Sequence, residues 1–173
     1  MSRIVVMETL RSAASVAGIP AEAVFDRTAG DNLTLSRPRM EIQWLKEKFS
    51  RTGRKLGVRR HPEERILKRE LYSVELPVVA QVFAENQEWL DSFTDSFVGA
   101  LPAGVTDAKG NWVRIRVDEA ELQRPADTRI GNNVIQVFKK TDKLFYLSFI
   151  WRVTTEDRVP WIRDITINTT LEA

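Results

Sequence analysis

His61 is the only histidine and cysteine is absent from the 173 residues, so the side chains that most often serve as nucleophiles, proton shuttles or metal ligands are nearly missing. Without thiols there are no disulfides, no thiolate zinc site and no cysteine nucleophile. A lone imidazole beside Pro62 has no second ligand at metal-binding spacing, and it reads as a solvated loop residue. Glu63 with Glu64, and Asp118 with Glu119 and Glu121, are the carboxylate sets that could do acid/base or magnesium chemistry. All of them lie in polar stretches beside basic residues, where the burial that retunes a carboxylate is not expected. Dinucleotide, P-loop and nucleophile-elbow glycine motifs are also missing. The expectation is a protein that is not an enzyme and takes no cofactor or metal.

The strongest chemical signal is charge. Between Lys46 and Arg69 there are ten Lys or Arg against three Glu, although the whole chain carries a net charge of only +2. Arg51, Arg54, Lys55, Arg59 and Arg60 form the centre of this run, which suits an acidic partner or a phosphate backbone better than a core. Sequence-specific nucleic-acid recognition is disfavoured, because Phe49 is the only aromatic in the run and no groove-reading helix pattern accompanies it. Non-specific phosphate contact needs only positioned charge and stays open. So does docking on an acidic patch of a neighbouring copy, and so does a solvated hairpin with its turn at Arg51 to Arg54.

The elements that would carry these residues are legible in the periodicity. Ile4, Met7, Leu10, Ala14 and Ala17 predict a helix over 3–17 ending at Gly18, and Pro20 opens a short helical turn through Val24 and Phe25. Thr28 to Arg37 reads as a polar loop. Met40, Ile42 and Trp44 share one face of a strand. Between Leu71 and Ala84 the residues Tyr72, Val74, Leu76, Val78, Ala80 and Val82 alternate with Ser73, Glu75, Pro77, Val79 and Gln81, a half-buried antiparallel strand. Pro77 in that strand predicts an edge, a bulge or a position turned away from its neighbour; an edge would be open to another subunit's strand. Asn86 caps a helix to Leu101 with Leu90, Phe93, Phe97 and Leu101 on one stripe. Residues 107–111 form a turn before a strand over Trp112 to Val117, and Glu119 to Asn133 reads as a long surface loop. Three strands follow, Val134 to Lys139, Leu144 to Thr155 and Trp161 to Leu171, with turns at Asp142–Lys143 and Asp157–Pro160.

The expected fold is therefore one α+β domain over 1–173. It has a mainly antiparallel β-sheet flanked by an N-terminal helix and one central helix, and a projecting basic hairpin within an arm over 46–69. Most aromatics fall on core faces. Trp44, Trp112 and Trp161 begin or oppose the apolar face of their strands and are candidates for a subunit contact. No apolar run approaches the ~18 residues of a membrane span, which gives an expectation of synthesis in the cytoplasm and no membrane contact.

Several segments in order carry a family resemblance. They are the N-terminal helix, Arg37-Pro38-Arg39-Met40-Glu41-Ile42, the basic arm, the strand Leu71 to Ala84 running into the helix that ends at Leu101-Pro102, and Leu147-Ser148-Phe149-Ile150-Trp151-Arg152-Val153. This order resembles the tail terminator, or tail completion, proteins of tailed bacteriophages. The resemblance implies an α+β subunit related to tail-tube proteins, forming a homo-oligomeric ring, usually a hexamer. Such a ring caps the tail-tube protein and meets the head-connector protein, so the implied location is the virion at the tail–head junction. A basic lining would tolerate passing contact with DNA. Another tube, neck or baseplate subunit, and a small basic nucleic-acid-binding module, are the alternatives.

Overall fold

The computed structural model describes residues 3–27, 36–123, 128–130, 133–135 and 141–161, with backbone only for 128–130, 133–135 and Thr141. The described residues are mixed α+β: helix α1 (Arg3–Ala17), a 3-10 turn (Ala21–Ala23), and strands β1 (Val24–Asp26), β2 (Arg39–Trp44), β3 (Lys48–Arg60) and β4 (Glu64–Ala84). Helix α2 (Gln87–Ala100) follows, then β5 (Gly104–Thr106), β6 (Trp112–Gln123), β7 (Thr128–Ile130), β8 (Asn133–Ile135) and β9 (Thr141–Pro160). Seven strands form one sheet in the order β1-β2-β4-β9-β6-β5, with β3 also paired to β4, and β7 with β8 forms a separate ribbon. The pairs β2–β4, β5–β6 and β6–β9 are antiparallel, while the short β1 runs parallel to β2. No helix among the described residues is long and apolar enough to cross a membrane.

Packing divides the chain into two compact units, one of residues 1–49 and 74–151, the other of 50–73 and 152–173. The first holds nearly all of the buried apolar side chains. Val74, Leu76, Val78, Ala80, Val82 and Ala84 of β4 alternate inward as their period of two requires, and Phe145, Leu147, Phe149 and Trp151 of β9 do the same. Leu90, Phe93 and Phe97 of α2 close over them: Phe93 stacks on Phe97 at 5.4 Å between centroids, and Phe97 meets Phe145 edge-on at 5.1 Å. Asn86 caps α2 as its type predicts, its side-chain oxygen accepting from the Trp89 N–H at 2.8 Å. Helix α1 stops at Gly18, whose φ of 108° lets the Ile19 N–H turn back to the Ala14 carbonyl at 2.9 Å.

The structure corrects several expectations. The inward stripe of α1 is Val6, Leu10, Ala13 and Ala14, while Ile4 is 65% exposed. With Ile4, Val5, Val6 and Met7 consecutive, more than one helical face is apolar, and packing against α2 chooses between them. Val24 and Phe25 are strand, paired beside Met40 and Glu41. Strand β4 is not an edge, because β2 and β9 flank it. Pro77 is accommodated because it sits where β2 ends: its carbonyl accepts from the Leu45 N–H at 3.2 Å, and the donor it lacks would have served only the last rung.

Asp142 and Lys143 are not a turn but the start of β9, opposite Gln123 and Leu122. Their polar side chains are used there, Asp142 on Arg37 at 3.1 Å and Lys143 on the Thr94 hydroxyl at 2.9 Å. Asp157 to Pro160 likewise continues β9, and Glu119 to Gln123 continues β6 instead of opening a loop. The segments 28–35, 124–127, 131–132, 136–140 and 162–173 lie outside the described residues. They include most of the Thr28–Arg37 loop, part of the 119–133 loop, the end of the strand expected over Val134 to Lys139, and most of the one expected over Trp161 to Leu171.

Candidate interaction surface

Strand β3, which lies in the second unit from Ser50 onward, is of unusual exposure. Thirteen residues long, it leaves every position exposed except the half-buried Leu56. The chain turns after it at His61–Glu63, where the His61 N–H donates to the Glu64 carbonyl at 2.8 Å, so the turn is not at Arg51 to Arg54. A connection this short joins antiparallel neighbours, and the Thr52 hydroxyl donates across the pair to the Glu70 carbonyl at 3.2 Å. Runs of Arg and Lys in a strand can form because the sheet needs only extended backbone and a neighbour, and each long side chain can leave the sheet for water.

Three acidic residues of β4 and β9 in this unit are engaged internally. Glu64 meets Arg158 at 3.4 Å, Glu70 meets Arg152 at 3.3 Å, and Asp157 meets Arg69 at 3.2 Å. Residue numbers fall on one strand as they rise on the other, so these pairs run across antiparallel neighbours. Glu70 is 5% exposed and needs its partner, since an unpaired buried carboxylate is costly. Arg51, Arg54, Lys55, Arg59 and Arg60 have no ion pair among the described residues. The charge of β3 is therefore presented outward.

Of the eight residues singled out in the sequence, these five and Trp161 belong to the same unit. Trp161 is 39% exposed, its indole N–H donating to the His61 carbonyl at 2.8 Å and its backbone N–H to the Glu63 carbonyl at 3.2 Å. It ties the end of β9 to the turn after β3. Trp44 and Trp112 belong to the first unit and are not brought together, since β4 and β9 lie between their strands. Trp44 is half-buried, with its indole N–H on Asp26 at 2.8 Å and the Arg3 guanidinium 5.1 Å from its ring centroid. Trp112 is 59% exposed and lies over Gly104, where a Cβ would come within 2.5 Å of its ring.

A polar cluster in the first unit was not visible in the sequence. Ser148, 1% exposed, has its hydroxyl 2.8 Å from a Glu75 oxygen and within hydrogen-bond reach of Asp118. Arg116 donates to both carboxylates, at 3.2 Å to Glu75 and through Nε to Asp118. The register of β6 explains the meeting: Val117 faces Leu147 and Glu119 faces Tyr146, so Asp118 is the extra residue of a bulge. Burial pushes the Asp118 carboxyl up, but hydrogen bonds from Arg116 and Ser148 and the charges of Arg116 and Lys48 outweigh it and hold the pKa below 3.8. The Asp118 hydrogen bond in turn holds the Arg116 pKa above its ordinary value.

The hydrogen bonds of Ser148 to Glu75 and Asp118 tie β9 to β4 and β6. The sequence groups Asp118 with Glu119 and Glu121, but its hydrogen-bond partners are Arg116 on its own strand and Ser148 of β9. The available signal was a phase change, since Leu122 packs on the core with Val113, Ile115 and Val117 although its number has the other parity. No group of three or more Asp, Glu or His that could hold a metal ion occurs among the described residues. No protein-family model matches the chain, and no curated protein matches its sequence.

Proposed function

We propose that this chain is a structural subunit that assembles into a ring, caps the tube of a bacteriophage tail and helps join tail to head. The observation that carries the reading is the exposure of β3, a thirteen-residue strand with only Leu56 half-buried. Such a strand gains little from its own side chains in water, and a subunit contact would bury it. In this reading β3 and the start of β4 are the projecting basic hairpin. A tube cap needs one surface for its neighbours and one for the tube end, and it needs no active site. The specific identity rests on the resemblance of its order of segments to that of tail terminators. Light scattering and negative-stain microscopy test it: discrete rings that bind tube ends are expected, whereas long polymers would make the chain a tube subunit. A strict monomer that leaves tube ends bare would overturn the proposal.

The five outward cations of β3 favour one second reading, a non-specific nucleic-acid-binding module. Duplex binding by that route weakens steeply with salt. A gel-shift titration at two salt concentrations separates the two, because a ring subunit needs no tight affinity for free DNA.

A further inference from the structure

Gly57 stands in the interior of β3, where glycine weakens a strand, and nothing within the described fold calls for it. Its φ is not in the left-handed range, and a Cβ built on it meets no atom within 4 Å. Among the reasons for a glycine inside a strand, a bulge, a bend or the close approach of another backbone, the open space over Gly57 suits the last. Lys55 and Arg59 flank it on the same face of the strand, about 13 Å apart.

Helix α2 carries the complementary pattern. Glu88, Asp91 and Asp95 are exposed and fall on one stripe of the helix, opposite the buried Leu90, Phe93 and Phe97, with about 10 Å between the first and last. No Lys or Arg lies between Gln87 and Ala100, and the ion pair formed there is the long one of Lys143 with Asp91, at 3.9 Å. Lys and Arg side chains are long enough to span the small difference in spacing.

We infer that the Lys55–Gly57–Arg59 face of one copy seats against the Glu88–Asp91–Asp95 stripe of α2 on a second copy. This rests on the assembly reading above and names its contact. The two surfaces differ, so the contact is head-to-tail and generates a ring when its rotation closes. Gly57 lets the helix approach the strand while the cations reach to either side.

Charge exchange tests it by size-exclusion chromatography with light scattering. One variant carries Glu88→Lys, Asp91→Lys and Asp95→Lys, a second carries Lys55→Glu and Arg59→Glu, and a third carries Gly57→Val. Each is expected to associate at least ~10-fold more weakly than the parent. Gly57→Val should keep or raise the thermal midpoint while it blocks the approach, because valine suits an open strand position. Mixing the two charge variants should restore assembly, since every contact in an alternating ring is again complementary. If the α2 variant assembles like the parent, the contact lies elsewhere and the ring reading survives. A parent that stays monomeric overturns the inference, and one that also leaves tube ends bare overturns the ring reading with it. A β3 variant that loses DNA binding yet assembles normally overturns the inference in favour of a nucleic-acid surface.

Discussion

Asp107 accepts hydrogen bonds from the Lys109 N–H at 2.9 Å, the Asn111 N–H at 2.8 Å and the Asn111 side chain at 3.3 Å, and it is 7% exposed. Burial pushes its pKa up, and these donors outweigh burial and hold it below 3.8. Because the folded value is depressed, the stabilisation is present above the unfolded pKa and is lost as pH falls through the folded one. Asp107→Ala should cost about 1–3 kcal/mol near neutral pH. Urea midpoints from about pH 5 to 2.5 should also fall less steeply in that variant than in the parent; equal slopes would mean that the turn carries no linked proton. This turn was legible because Asp-Ala-Lys-Gly-Asn states its own chemistry. Ser148 was not, since its partners Glu75 and Asp118 come from two other strands and depend on a bulge.

At the scale of elements, α2 owes its place to its cap and its aromatic stripe. Phe93→Ala should cost about 3–5 kcal/mol in chemical denaturation, because it empties a space between Trp89, Phe97 and Phe145. Asn86→Ala should cost about 1 kcal/mol, and a cost near zero would show that water replaces the cap. The helix was readable from spacing alone, as was the inward face of β4. The ends of β9 were not, because polarity at Asp142–Lys143 and Asp157–Pro160 looks like a turn. In the fold these polar side chains find partners: Asp142 on Arg37, Lys143 on Thr94, Asp157 on Arg69 and Arg158 on Glu64. Local pattern cannot see a pairing that substitutes for burial.

For the molecule as a whole, the division into a unit rich in buried apolar residues and one rich in paired and outward charges predicts uneven protection. In the isolated protein the amides of β3 should exchange on the order of 100-fold faster than those of β4 between Val74 and Ala84. Assembly should slow β3 selectively. Uniform protection before assembly would show that β3 already belongs to the global cooperative unit. The mixed α+β class and the excess of strands were readable from the chain, whereas the surface proposed to meet β3 is one that a single sequence pattern does not name.

The bulge at Asp118 has a consequence for chain length. Every other residue of β6 is counted by the alternation of faces, so removing one would turn all that follows it inside out. Asp118 is uncounted: without it Val117 and Glu119 would still oppose Leu147 and Tyr146, and Leu122 would still point into the core. A copy shortened by that single residue could keep its sheet and lose only its grip on Ser148 and Arg116. A one-residue deletion along β6 would be tolerated at one address and refused at its neighbours.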